Sequence, residues 1–107
     1  MTLRQMRDST RRALSLAEGR SRAALDQDWV ATLAVMQLLQ IIGEAARRLS
    51  DDLRQQHPEI PWAQLISLRN RLIHGYDTVD LDRLWELLTV DLPALATALD
   101  RILESRG

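Results

Sequence analysis

The stretch WVATLAVMQLLQIIGEAARRL, Trp29 to Leu49, decides the fold class. Val30, Leu33, Ala34, Val35, Met36, Leu38, Leu39, Ile41 and Ile42 cover more than one stripe of a helical surface, so the segment reads as a long helix buried on two sides. The second side is a candidate subunit interface. Asp26 and Asp28 stand before it as capping candidates, and Arg47 and Arg48 close it, which suits both poles of the helix dipole.

Toward the N-terminus, Leu3, Met6, Thr10, Ala13, Leu14 and Ala17 recur at steps of three and four, the pattern of an amphipathic helix ending near Gly19. Toward the C-terminus, Ser50-Asp51-Asp52 caps a short helix to about Gln56. His57-Pro58-Glu59-Ile60-Pro61 then turns, because a residue before proline avoids the helical region. Pro61 suits the first turn of the next helix, in which Trp62, Leu65, Ile66, Arg69, Leu72 and Ile73 keep helical spacing until Gly75. Asp80 or Thr78 caps a further helix through Leu88. Asp91-Leu92-Pro93 opens a last one, with Leu92, Leu95, Ala96, Leu99, Ile102 and Leu103 on one face. There is no strand pattern, so the expected architecture is all-α, an antiparallel up-and-down bundle of four to five helices.

Composition narrows the function. The 107 residues are 46% hydrophobic, material for one core, so residues 1–107 are expected to form a single domain. A net charge of -1 gives no support for recognition of nucleic acid through an overall positive field; any such contact needs a local patch. All 14 basic residues are arginine, whose planar fork suits phosphate, although uniform arginine usage more often follows codon bias. Without cysteine there is no disulfide, thiolate nucleophile or thiolate zinc site, and two histidines make any metal site unexpected. No glycine-rich phosphate loop exists, so the chain is not expected to bind ATP by itself, and no cofactor is expected. The segment from Met1 to Arg7 alternates charged and apolar residues, unlike a signal peptide or membrane span, and a cytoplasmic location is expected.

Unusual polar residues concentrate at one helix end: Arg69, Asn70, Arg71, His74 and Tyr76. Periodicity puts Arg69 on the buried face, where an unpaired guanidinium costs several kcal/mol, so it must face a cleft or a partner acid. Asn70 and His74 lie four apart, close enough for the amide to orient the imidazole. The competing reading is that His74 and Gly75 merely end the helix while Arg69 pairs with Glu44; periodicity does not decide between them. Glu44, isolated in an apolar run, reads as an internal counter-ion for Arg69 or Arg71. His57 reads as an exposed turn residue, and Trp29, Trp62 and Trp85 as packing residues rather than base-stacking ones.

The spacing Arg69, four residues, His74, one residue, Tyr76 resembles the Arg-x4-His-x-Tyr motif of the HEPN superfamily. The blocks Ile41-Ile42-Gly43-Glu44-Ala45-Ala46, Pro58-Glu59-Ile60-Pro61-Trp62, Arg69 to Tyr76 and Asp91-Leu92-Pro93 resemble HepT-like toxins in order and spacing over the last two-thirds of the chain. One departure is Ser67-Leu68, where relatives often carry Gly-Met; it leaves the motif intact. The resemblance implies a dimer whose two motifs face one cleft and cleave RNA without metal. Arg69 and His74 would be catalytic, with Asn70, Arg71 and Glu44 supporting. It also implies a nucleotidyltransferase antitoxin (MntA-like) that transfers AMP to Tyr76, the one tyrosine in the chain; against this stands a Tyr76 that simply packs over the helix end. Two rivals remain: a non-catalytic binding module that serves as partner and substrate of that enzyme, and a protein that binds small nucleotides through its arginine cleft.

Overall fold

The computed structural model describes residues 2–74 and 80–106, and of residues 74 and 106 the backbone alone. The regular structure among them is entirely helical: α1 (Leu3–Ala17), α2 (Arg22–Gln27), α3 (Trp29–Arg48), α4 (Asp51–Gln56), α5 (Trp62–His74), α6 (Leu81–Glu86), a π-helical turn (Leu87–Asp91) and α7 (Leu92–Arg106). Seven α-helices among the described residues replace the expected four to five. The expected ends at Gly75 and cap at Thr78 lie outside the described residues.

The helix starts are set by side chains that accept otherwise unpaired N–H groups. Thr2 and Gln5 form a reciprocal capping box on α1. Ser21 Oγ accepts from Ala24, Asp28 Oδ1 from Ala31 and Ser50 Oγ from Leu53, opening α2, α3 and α4. Asp80 caps α6, accepting from Asp82 N at 2.9 Å. Gly19 closes the turn after α1 with φ at 71°, a conformation glycine adopts without Cβ strain.

α3 lies at the centre, with α5 along one side and α1 along another; α7 packs on α1. Its burial on two sides is therefore met within one chain. Ala31, Val35, Met36, Leu39, Ile42, Gly43, Ala45 and Ala46 face these neighbours. α3 alone among the described helices is long and apolar enough to cross a membrane, but close to half of that apolar window is buried within this fold. Its first turns keep a free face: Trp29 is 70% exposed, beside the exposed Val30 and Leu33. The expectation that Trp29 packs in the core is thus wrong, whereas Trp62 is buried and Trp85 leans on the core. On α5 the buried stripe is Leu65, Leu68 and Leu72, and Ile73, expected inside, is exposed.

The break expected at Asp91-Leu92-Pro93 is instead a widening of one continuous helical arm. Pro93 has no N–H, and its ring crowds the carbonyl four residues earlier. In the preceding π-helical turn the Leu92 N–H reaches the Leu87 carbonyl, five residues back.

Candidate active site

Two helices build the site, and a glycine sets their separation. A Cβ placed on Gly43 of α3 would stand 2.4 Å from Arg69 Cβ and 2.6 Å from the Leu65 carbonyl oxygen, both on α5. Only a residue without a side chain lets the helices approach this closely, and the contact falls at Arg69 itself.

The next residue on α3 is Glu44. Its carboxylate takes Arg69 Nη2 at 3.0 Å, so the acid predicted for Arg69 is Glu44. The partner is not Arg71, which is exposed and lines, with Arg83, Ser67 and Leu87, a cleft of about 220 Å³ between α5 and the α6 arm. Arg69 Nη1 also donates to Asn70 Oδ1 at 3.3 Å. The Asn70 carbonyl thus accepts from the neighbouring guanidinium, while its second lone pair and its amide N–H groups stay available.

Glu44 holds two further arginines, which sequence reasoning treated only as charges at a helix end. Arg47 donates to both carboxylate oxygens, Nη2 at 2.7 Å and Nε at 3.2 Å, and Arg48 Nε donates at 2.7 Å. Spacings of three and four bring these side chains onto one face of α3, a signal present in the sequence. The hydrogen bonds from Arg47 and Arg48 hold the Glu44 carboxyl well below the usual carboxylate range, at about 2, against the opposing effect of burial. The same contact raises the pKa of Arg47. Glu44 is therefore ionised at any physiological pH.

Beside this cluster a groove of about 670 Å³ runs between α4 and the outer face of α5, floored by Pro58, Trp62 and Ile66 and reaching Asn70. The Trp62 indole N–H fixes one wall by donating to the carbonyls of Arg54 and His57. His57, expected to be exposed, is partly covered, with Nδ1 3.7 Å from the Glu59 carboxylate. The structure thus brings together Glu44, Arg69 and Asn70, and places Arg71 on a different face. The side chains of His74 and Tyr76 lie outside the described residues; α5 is described as far as the backbone of His74.

The profile of the family described as Ribonuclease HepT-like matches residues 6–102, nearly the whole chain. The chain belongs to the HepT-like family. Among relatives of this HepT-like chain is a protein of Thermococcus cleftensis named as a probable ribonuclease HepT, 39% identical over 64% of this chain and 63% of its own length. A protein of Methanocaldococcus jannaschii assigned by name to the RNases is 42% identical over 58% of this chain and 57% of its own. One from Caldanaerobacter subterraneus, likewise named, is 35% identical over 73% and 70%. The chain thus spans somewhat under two-thirds of the first two relatives. No solved structure matches at a significant level.

Proposed function

We propose that this HepT-like chain is the toxin of a toxin-antitoxin pair, an endoribonuclease acting in the cytoplasm without a metal ion or cofactor. The observation that carries the reading is the fixed placement of Arg69, held by Glu44 at 3.0 Å and Asn70 at 3.3 Å on the helix that carries His74. A guanidinium fixed before substrate arrives needs little reorganisation to stabilise charge developing on a phosphate. The names of the relatives support RNA as the substrate.

In this mechanism His74 takes the proton from a ribose 2′-hydroxyl, and the 2′-oxygen attacks the adjacent phosphorus. The bond to the 5′-oxygen breaks, and a second imidazole protonates that oxygen, leaving a 2′,3′-cyclic phosphate and a 5′-hydroxyl. The second imidazole is the His74 of a partner protomer, so the working unit is a two-fold dimer of antiparallel up-and-down bundles, one domain per chain, open to further assembly. Arg69 stabilises the negative charge on phosphorus with its two-pronged donor set, Asn70 and Glu44 hold it in place, and Arg71, on another face of α5, supports the site through its positive charge alone. An MntA-like nucleotidyltransferase antitoxin silences the site by transferring AMP from ATP to Tyr76 with release of pyrophosphate, which adds bulk and negative charge beside His74.

The Glu44–Arg69 ion pair also favours a second reading, a binding module whose arginine is structural and which serves the nucleotidyltransferase only as partner and substrate. Purified protein and cellular RNA separate the two. The toxin cleaves in the presence of EDTA, yields cyclic-phosphate ends, and loses activity by roughly 100-fold or more in His74→Ala and Arg69→Ala. Intact RNA with the wild-type protein, dimeric and correctly folded, would select the binding module.

A further inference from the structure

A protein of net charge -1 needs a local concentration of positive charge to hold an RNA strand, and the described residues contain one. At the last turn of α3, Arg47 and Arg48 join Arg69 around the single carboxylate of Glu44. Three guanidiniums against one acid leave the cluster positive; in α4, which follows directly, Arg54 takes Asp51, and with the exposed Asp52 counted as well the four arginines still outnumber the three acids by one. The three arginines differ in access. Arg69 is 25% exposed and gives one prong to Glu44 and another to Asn70, whereas Arg47 and Arg48 are 51% and 59% exposed. Arg48 reaches Glu44 through Nε, which leaves its two terminal nitrogens for an outside acceptor.

We infer that Arg47 and Arg48 form a second anion site, which binds a backbone phosphate of the RNA flanking the one cleaved. The inference rests on the ribonuclease reading for its substrate. Glu44 is the device that makes the site: it draws long, otherwise mobile side chains onto one face of α3, so less rotamer freedom is lost when phosphate binds. Its position in the fold gives the strand a direction. Beyond Gly43, α3 leads through α4 to the start of α5, where Trp62 holds the Arg54 and His57 carbonyls. Arg47 and Arg48 therefore lie on the opposite side of Arg69 from the α5 end that carries His74, and the contacted phosphate is not the scissile one. Arg47 and Arg48 act on binding, and the chemical step is left to the motif.

The test uses a labelled single-stranded RNA with 2′-O-methyl riboses, which binds without being cut, titrated across a salt series by fluorescence anisotropy, with cleavage of the unmodified RNA measured in parallel. For Arg47→Gln/Arg48→Gln, the slope of log affinity against log salt should fall by about 0.7 to 1.4, the loss of one or two phosphate contacts on a single strand. KM should rise with kcat little changed. Arg47→Lys/Arg48→Lys should restore most of the slope, since Lys keeps the charge, and Arg101→Gln, an exposed arginine on α7, should leave it unchanged. Thermal unfolding of each variant confirms that the fold is intact. A double Gln variant with the wild-type slope overturns the inference, as does a fall in kcat with KM unchanged. A wild-type protein that binds RNA with the arginine-dependent slope but does not cut it overturns the ribonuclease reading and keeps the site. One that cuts RNA without that dependence does the reverse, and one that neither binds nor cuts ends both.

Discussion

Glu44 is a small acid given a large task, since three arginines converge on its two oxygens. Its ionisation is correspondingly linked to folding. The carboxyl titrates near 4.5 when free and at about 2 in the folded chain, so the folded state favours the charged form. A depressed carboxylate contributes stability that is fully present above the unfolded value and is lost as pH falls through the folded one. Wild-type protein and Glu44→Gln should therefore differ by a constant margin in Tm above pH 4.5, and that margin should close as pH falls toward 2, where the wild-type carboxyl is itself neutral. Thermal melts across that range check it, and parallel curves down to pH 2 would show that Glu44 gains nothing from its arginines.

Between helices the decisive feature is the α3–α5 contact at Gly43. Alanine there gains roughly 1 kcal/mol of helix propensity over glycine, so a loosely packed site would be stabilised by the change. Here the added methyl meets a side-chain carbon at 2.4 Å and a backbone oxygen at 2.6 Å, and backbone cannot rotate aside. Gly43→Ala should cost about 1–3 kcal/mol net through overpacking and should move Arg69, lowering RNA cleavage more than the stability loss alone accounts for. Denaturant midpoints and kcat check the two parts. The same contact marks how far the sequence was readable. Periodicity placed α1, α3, α5 and α7, the Ser50 cap placed α4, and the residue types alone required a cleft or an acid for Arg69, because burial of an unpaired guanidinium is costly. What escaped was tertiary in origin. α2 has only Leu25 buried, too little apolar pattern to announce a helix. The Asp91-Leu92-Pro93 signal has the chemistry of a break, yet the chain absorbs Pro93 by widening its hydrogen bonding rather than stopping. Trp29 and Ile73 have core composition but sit where no described helix covers them. Arg47 and Arg48 carried a visible three-and-four spacing from Glu44, which the helix-dipole explanation had already accounted for.

At the scale of the whole molecule, the proposed chemistry needs what one chain does not have, two imidazoles at one phosphodiester. His57 is not the second one, since it sits in the turn between α4 and α5, before the start of the helix whose far end carries His74. The other must come from a second copy, and this makes a quantitative demand on mixtures. When wild-type protein is allowed to exchange subunits with a ninefold excess of His74→Ala, random pairing gives about nine in ten wild-type protomers an inactive partner. Cleavage per wild-type protomer should then fall roughly tenfold, because each mixed dimer lacks either its base or its acid. A ninefold excess of Arg101→Gln, which leaves the motif untouched, should have no such effect. Sites that work independently within each chain would instead keep the rate per wild-type protomer constant at every ratio, and that result would remove the shared cleft from the mechanism even if the protein cuts RNA.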